Sequence, residues 1–310
     1  MKFNNLKGSI ILLTASVIWG FAFVAQDVAA KKAPPFAINA LRSFIAAIAL
    51  YLLYLAVNYK TKTPFIPKDK TERKGILTAG LITGCIFFMA ANFQQFGIGY
   101  YPKEANVSAR SAFITALYVI LVPIFSVFIG KKISPVIFLA VVTAMVGVYL
   151  LCCSKGLDKL YFADVLIFIC AVFYALHIMC IDKYVGHVGG IRLSVMQFVM
   201  CGAISTVFSL ITEWSAITDY KAILSVAPQI LYLGIMSSGV AYTLQIIGQK
   251  YAEPSVASIS MSFESVFGAL GGVWFSGKIL SNWEIIGCVI MFAAIIIAQI
   301  PELLENKSKA

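Results

Sequence analysis

The sequence predicts an all-α integral membrane protein in which ten transmembrane helices form two inverted repeats of five helices. Three observations support this prediction: the composition, the number of apolar runs and a similarity between the two halves of the chain. The 310 residues are 60% hydrophobic and 12% charged, with a mean hydropathy of +0.90. Because soluble domains carry roughly 25% charged residues, this chain is too apolar to cover a water-facing surface.

Ten apolar runs, separated by short charged or polar segments, are each long enough to cross a hydrocarbon core of roughly 30 Å. Helices are expected because lipid offers the backbone no hydrogen-bond partner, and the period-two alternation of a membrane barrel is absent. The first run is interpreted as a retained span and not as a signal peptide, since nine similar runs follow it. The spans are predicted near 8–30, 36–57, 75–99, 105–128, 133–153, 162–181, 192–212, 225–248, 255–276 and 283–300.

Positive charges lie between the apolar runs and predict the orientation. With both termini inside, the inner segments hold 15 Lys and Arg residues and the outer loops hold seven. Because excess positive charge stays on the cytoplasmic side, we predict a multi-pass protein of the inner (cytoplasmic) membrane with both termini in the cytoplasm. The net charge of +10 is therefore assigned to topology and not to nucleic-acid binding. The seven cysteines lack metal-ligand or CxxC spacing and are interpreted as small apolar residues.

Two short segments recur in the second half of the chain at nearly the same offset. Residues 104–107 resemble 253–256, an offset of 149, and residues 130–134 resemble 277–281, an offset of 147. A repeat of five spans is odd, so the second copy must cross the membrane in the opposite direction. Inverted repeats are typical of transporters, because they allow inward-open and outward-open states. The predicted repeats are residues 1–153 and 154–310, the second with a short cytoplasmic tail.

An acidic residue, Glu264, falls near the centre of the ninth predicted span, where an ionised carboxylate costs at least ~2.5 kcal/mol. Its helical neighbours Ser260, Gly268 and Gly271 form a small and polar stripe, which we expect to face protein or a cavity. The glutamate is a candidate for coupling or for binding a cationic substrate, or alternatively a neutral or paired structural acid. The opposite side is expected to face lipid and carries Val256, Ile259, Phe263, Val266, Leu270 and Val273.

The third and eighth spans carry matching polar faces with i, i+3, i+7 spacing, and the two sets correspond within one residue of the repeat offset. Uncharged donors and acceptors on facing helices suit a polar substrate, but amides also join membrane helices to each other. Both interpretations stay open. The residues of these faces are Asn92, Gln95, Gly99, Tyr242, Gln245 and Gln249.

Ionisable residues near the span ends are candidates for a gate. Arg42 and Arg110 lie in the outer halves of the second and fourth spans, and Asp27 ends the first span on the same side. They predict a buried ion-pair cluster, which would act as an outer gate, as an anion site or only as structure. His177 in the sixth span is either a proton relay or a hydrogen-bonded structural residue. Trp19 and the glycine after it either line a cavity or pack a helix crossing.

The order and spacing of several motifs resemble the EamA family of the drug/metabolite transporter superfamily over about residues 8–300. The resemblance implies a ten-helix fold of two inverted five-helix repeats around a central cavity. It also implies export of amino acids, other metabolites or drugs without a prosthetic group. The matching positions are Trp19, Gly20, Phe23, residues 39–42, residues 113–118, Pro123, Gln245, Gln249, residues 262–267 and Gly287.

Two positions depart from the family pattern. Ser265 stands where the family has the proline of its EPV-like segment, directly after the acid that corresponds to Glu264. Lys131 and Lys278 stand where the family commonly has the acid of a Gly-Glu pair after the fourth and ninth spans. Any role of that acid cannot be transferred to this chain.

The functional prediction is a secondary transporter, not an enzyme, which exports a small metabolite, amino acid or drug-like solute by alternating access. No Walker A, HExxH or nucleophile-elbow motif occurs in the sequence, so an ion or exchange gradient is expected to drive transport. The expected partners are the solute, the bilayer and a coupling proton, with no nucleic acid, metal or cofactor. The alternatives are an intramembrane enzyme acting on a lipid-linked substrate and a non-transporting receptor or assembly subunit.

Overall fold

The computed structural model describes residues 4–60, 63–102, 107–153, 160–276 and 280–307, and all regular structure within them is helical. The helices of the first half are α1 (Asn5–Ala30), α2 (Pro35–Val57), α3 (Lys70–Tyr100), α4 (Val107–Thr115), α5 (Tyr118–Phe128) and α6 (Pro135–Cys153). Those of the second half are α7 (Phe162–Val188), α8 (Gly190–Thr212), α9 (Trp214–Ile217), α10 (Tyr220–Ser225), α11 (Ala227–Tyr232), a π-helical segment (Leu233–Ala241), α12 (Tyr242–Gln249), α13 (Pro254–Met261), α14 (Glu264–Ser276) and α15 (Asn282–Lys307).

Nine helical segments of the described chain are long and apolar enough to cross a bilayer. They correspond to the first eight predicted spans and the tenth. Large apolar side chains point outward along these helices, among them Ile48, Leu52, Val207 and Val289. Because a helix that exposes such side chains needs lipid around it, the chain is a multi-pass membrane protein.

The predicted ninth span is not one continuous helix. Residues 262–263 form a turn between α13 and α14, and residues 116–117 form a similar turn between α4 and α5. The α13 helix begins at Pro254, 147 residues after α4 begins at Val107, and α14 begins 146 residues after α5. The same kind of helix break therefore occurs once in each half of the described chain. The separation of 146–147 residues is close to the offsets of 147 and 149 found in the sequence. Part of each repeated loop segment, residues 104–106 and 277–279, lies outside the described residues.

An interrupted helix survives at membrane depth only where protein or a cavity replaces lipid. In the break before α14, the Ser16 hydroxyl lies 3.0 Å from the carbonyl oxygens of both Ser260 and Met261. Helix α1 thus supplies a polar partner to the backbone that the break exposes.

The prediction that one side of α13 and α14 faces lipid is wrong at four positions. Val256, Ile259, Phe263 and Val266 are each 1% exposed or less, whereas Leu270 is 43% exposed. The reason is packing on several sides, because α13 contacts α1, α5, α6 and α15, and α14 contacts α1, α4 and α6. The acid that begins α14 is therefore surrounded by protein on nearly every side.

Helices α1 and α14 cross at Gly20 with almost no space between their backbones. A Cβ atom at Gly20 would lie 2.6 Å from the backbone nitrogen of Gly268 and 2.7 Å from the carbonyl carbon of Phe267. Small residues allow membrane helices to approach in this way. The crossing brings the neighbouring Trp19 close to the break before α14.

We expect the Gly20→Ala substitution to destabilise the protein by about 1–3 kcal/mol, because the α14 backbone must move to admit a methyl group. Gly75→Ala in α3 is the control, since a Cβ there would meet no atom within 4 Å. Thermal unfolding of the purified proteins in detergent should show a lower midpoint for the Gly20 variant only. Equal midpoints for the two variants would contradict the close crossing.

Candidate functional site

A cavity lies in the centre of the bundle, beside both interrupted spans. Its wall is mixed, with aromatic rings, amides, hydroxyls and two ionisable groups. The polar and aromatic residues that line it are Trp19, Phe23, Gln26, Arg42, Gln94, Thr115, Tyr118, Tyr174, Ser237, Tyr242, Gln245 and Glu264.

Glu264 is the first residue of α14 and reaches the cavity from the helix break. Its side chain is 6% exposed, and the hydroxyl of Tyr118 donates a hydrogen bond to Oε1 at 3.3 Å. Tyr118 is the first residue of α5, so the two residues occupy equivalent positions in the two halves, 146 residues apart.

A chain of hydrogen bonds crosses the cavity wall from α12 to α4. The Tyr242 hydroxyl donates to the Tyr174 hydroxyl at 2.9 Å, and Tyr174 donates to Gln94 Oε1 at 3.2 Å. The Gln94 amide then donates to Thr115 Oγ1 at 3.3 Å. Four helices, α12, α7, α3 and α4, are therefore joined through side chains that face the cavity.

The π-helical segment forms another part of the wall. The Trp19 indole nitrogen donates to the Ser237 carbonyl oxygen at 3.3 Å, and its ring lies 4.7 Å from that of Tyr242. Segments of π-helix occur frequently at functional sites. Here the segment brings backbone and side-chain oxygens of the eighth span to the cavity.

Arg42 is the second ionisable group of the wall and is 3% exposed. Its Nε donates to Ser238 Oγ at 2.9 Å, Nη1 donates to Gln26 Oε1 at 3.2 Å, and Nη2 donates to Ser237 Oγ at 3.3 Å. All three acceptors are neutral. Among the carboxylates that the structure describes, none forms a salt bridge with this guanidinium.

The structure brings five of the sequence-predicted residues into one wall. They are Trp19, Arg42, Tyr242, Gln245 and Glu264.

Four other predicted binding residues lie outside this wall and bond to neighbouring helices. The Asn92 side chain accepts from Asn39 at 3.0 Å and donates to Ser205 at 3.3 Å. The Gln95 amide donates to a backbone carbonyl of α1, and the Gln249 amide donates to a backbone carbonyl of α7. The Ser260 hydroxyl donates to a serine of α1.

The other predicted charged residues do not meet in one cluster. Asp27 pairs with Lys31 at 2.8 Å, at a site apart from Arg42. Arg110 pairs with Asp164, with Nε–Oδ1 and Nη2–Oδ2 distances of 2.6 Å each. His177 is buried beside the cavity and shares a 2.9 Å hydrogen bond with a glutamine of α8.

Asp164 is the centre of a tight polar network near the end of α3. Besides Arg110, it accepts from the Tyr101 hydroxyl at 2.7 Å and from the Tyr161 backbone N–H at 2.8 Å. Burial and the adjacent carboxylate raise the pKa of Tyr101 well above its ordinary value. The tyrosine therefore stays a hydrogen-bond donor to Asp164 throughout the physiological pH range.

Several residues of the wall were not predicted as site residues, and the sequence held a signal for three of them. Tyr118 stands 146 residues before Glu264, close to the repeat offsets of 147 and 149. Gln94 is adjacent to Gln95 in a broad polar face of α3. The i, i+3, i+7 spacing selected only the part of that face that contains Gln95. Thr115 lies in the segment 113–118 that resembles the family. The other residues carry no such pattern and are Gln26, Tyr174 and Ser237.

The comparisons with known proteins concern the family and the fold of the chain. The model of the EamA-like transporter family matches residues 6–153 and, separately, residues 161–299. An "Uncharacterized transporter" of Archaeoglobus fulgidus is 26% identical over 303 residues, which are 96% of this chain and 87% of the relative. The "Uncharacterized transporter YoaV" of Bacillus subtilis is 21% identical over 273 residues, 86% of this chain and 88% of that protein.

A solved structure described as "Crystal structure of protein" has a similar fold. Its TM-score with this chain is 0.72 at 17% sequence identity, over 96% of this chain and 98% of that one. At this level of identity the likeness concerns the fold alone.

Proposed function

Because the chain belongs to the EamA-like transporter family, we propose that it is a secondary transporter which exports a small metabolite, amino acid or drug-like solute across the cytoplasmic membrane by alternating access. The observation that carries the proposal is the position of the cavity, between the helix break that precedes Tyr118 and the helix break that precedes Glu264. Binding sites of secondary transporters are commonly formed by such discontinuous helices at mid-membrane.

The proposed architecture is two inverted five-helix repeats, residues 1–153 and 154–310, with α13 and α14 as the ninth of ten spans. Two observations support it. The family model matches the chain twice, once in each half. In addition, α13 packs against α5 and α14 packs against α4, which is the antiparallel pairing expected if the second interrupted span crosses opposite to the first.

The proposed orientation has both termini in the cytoplasm. Contacts near the ends of the spans support the relative sides, since each joins segments that the charge pattern assigns to one side. Lys131–Asp182 and Arg192–Tyr54 join proposed inner segments. Arg110–Asp164 and the bond from the Phe36 N–H to Glu213 join proposed outer segments.

We expect accessibility tags at Lys131 and Lys278 to report opposite sides of the membrane, with Lys131 in the cytoplasm. Single cysteines at these two positions, in a background without other cysteines, can be labelled in intact cells by an impermeant maleimide. Only the Lys278 position should react before lysis. Labelling of both positions from the same side would refute the inverted repeat.

In the proposed cycle, Glu264 supplies the charge that couples solute movement to conformational change. A bare carboxylate in a water-poor cavity disfavours the passage between inward-open and outward-open states, because a charge within the bilayer costs at least ~2.5 kcal/mol. A proton or the cationic group of a solute neutralises it and permits the passage. Exchange of one for the other on opposite sides would drive net export.

The function is tested by comparing metabolites in cells that lack the protein with those in cells that overproduce it. A transported solute should fall inside the overproducing cells and rise in the medium. The same solute, recovered chemically unchanged, should then move through proteoliposomes that contain the purified protein but not through empty vesicles. Recovery of an altered compound would favour an enzyme, and absence of flux for every candidate would count against a transporter.

A further inference from the structure

We propose that Arg42, Gln26 and Ser237 form a binding site for a free monovalent inorganic anion, with chloride as the ion. The three side chains line the cavity, and the guanidinium is bonded to the other two. The proposal goes beyond the transport of a solute, because the ion would bind the folded protein whether or not a solute moves.

Arg42 brings a positive charge to this site without a counter-charge from the described residues. It is 3% exposed, and its guanidinium donates three hydrogen bonds, all to neutral oxygens. These bonds use three of the five N–H groups of an arginine, so two remain. A buried charge without a partner is strongly unfavourable. A bound anion would compensate it through charge-assisted hydrogen bonds from the remaining N–H groups.

The neutral groups around the guanidinium offer donors to the cavity. Gln26 is 3% exposed, and its Oε1 accepts from Arg42 at 3.2 Å, whereas its Nε2 donates to no atom of the described residues. Ser237 Oγ accepts from Arg42 at 3.3 Å, and its own O–H group donates to no described residue either. Because Arg42 already occupies these acceptors while the donors stay free, the site suits an anion and not a cation.

Both donor residues are held in place through their backbones. The Trp19 indole nitrogen donates to the Ser237 carbonyl oxygen at 3.3 Å, and the Gln95 amide donates to the Gln26 carbonyl oxygen at 3.2 Å. A site whose donors are fixed before binding loses less conformational entropy when its ligand arrives. The π-helical segment and α1 therefore present a preformed set of donors around the charge of Arg42.

A free ion fits this site better than a charged group of the solute. Arg42 keeps its charge at every stage of a transport cycle, including the stages at which no solute is bound. An ion that is present on both sides of the membrane can compensate the charge at all of these stages. The ion is expected to be monovalent, because Glu264 lines the same cavity and would repel the excess charge of a divalent anion.

The test is an anion series on the purified full-length protein in detergent, at constant pH and ionic strength. The thermal unfolding midpoint is measured while chloride replaces gluconate, and equilibrium dialysis with radioactive chloride counts the bound ions. We expect a saturable rise of the midpoint, because a ligand that binds only the folded state stabilises it. Bromide should compete with the radioactive chloride. Acetate is the arm that represents a carboxylate of a solute.

Two variants and a control assign the ion to the site. Arg42→Gln should raise the chloride concentration at half saturation at least about tenfold. Ser237→Ala removes one donor and should raise that concentration by a smaller factor. Arg192→Gln is the control, because this guanidinium already bonds to Tyr54 and Glu72. Its removal should leave the chloride affinity unchanged. If Arg42→Gln does not fold, Ser237→Ala and the anion series on the unmodified protein decide.

Three results would overturn the inference. They are equal midpoints in chloride and gluconate, an unchanged chloride affinity in folded Arg42→Gln, and stabilisation by acetate but not by chloride. The last result would assign Arg42 to a carboxylate of the solute. Flux measurements separate this inference from the proposed function. Chloride binding to a protein that moves no solute in proteoliposomes would leave the ion site and remove the transporter, and solute flux through a protein that binds no chloride would do the reverse.

Discussion

Glu264→Gln is expected to abolish net transport while leaving the protein folded. The amide has nearly the same shape and still accepts the hydrogen bond from Tyr118, but it carries no charge to be neutralised in the cycle. Neutralisation removes a cost of at least ~2.5 kcal/mol. This corresponds to a factor of roughly 70 in the population of the state that passes between the inward-open and outward-open forms. The measurement is the solute flux that an imposed ion or exchange gradient drives in proteoliposomes.

Two control variants show whether charge or shape is responsible. Tyr118→Phe removes only the hydroxyl that donates to Glu264, so flux should fall by a modest factor. Glu72→Gln neutralises a half-exposed acid that pairs with Arg192 at 3.3 Å, and flux should stay at the level of the unmodified protein. Unchanged flux for Glu264→Gln, in protein shown to be inserted and folded, would remove Glu264 from the mechanism.

The membrane spans were predictable because composition and run length decide them. A stretch of about twenty apolar residues has few alternatives to a bilayer helix, and the first eight predicted spans and the tenth reappear as helical segments of the described chain. The break before Glu264 was not predicted. Residues 262–263 include neither glycine nor proline, and the turn depends on packing against α1 and α5 that no local pattern records.

Charged partners were the least predictable part of the site. The sequence pointed to Arg42, Arg110 and Asp27 as one cluster because all three lie at similar depth. Depth along the membrane normal does not determine which helices are neighbours, and α4 packs beside α7, whose first turn contains Asp164. The buried Glu213, whose carboxylate accepts the N–H groups of Phe36 and Ala37 at 2.9 Å each, was missed for the same reason.

Asp164→Ala is expected to lower the free energy of unfolding by about 3–5 kcal/mol, because it removes the carboxylate of a buried, bidentate ion pair with Arg110. The Arg110 and Asp164 side chains are 11% and 7% exposed, and the Tyr101 hydroxyl and the Tyr161 backbone N–H also lose their acceptor. Asp182→Ala is the matched control in the same helix. It breaks an ion pair with Lys131, whose side chain is 43% exposed. The free energy of unfolding is therefore expected to fall by about 1 kcal/mol or less. Thermal unfolding in detergent measures both.

These two ion pairs also bear on which helices move together. Arg110–Asp164 and Lys131–Asp182 both join the fourth span to α7, one near the start of α7 and one near its end. Both pairs are formed in the same structure, so in this state the fourth span is held to α7 near both ends of α7. We therefore expect the fourth span and α7 to move as one unit. The double variant Arg110→Leu with Asp164→Leu should recover part of the lost stability and retain flux, whereas flux lost in a stable double variant would make the pair a gate.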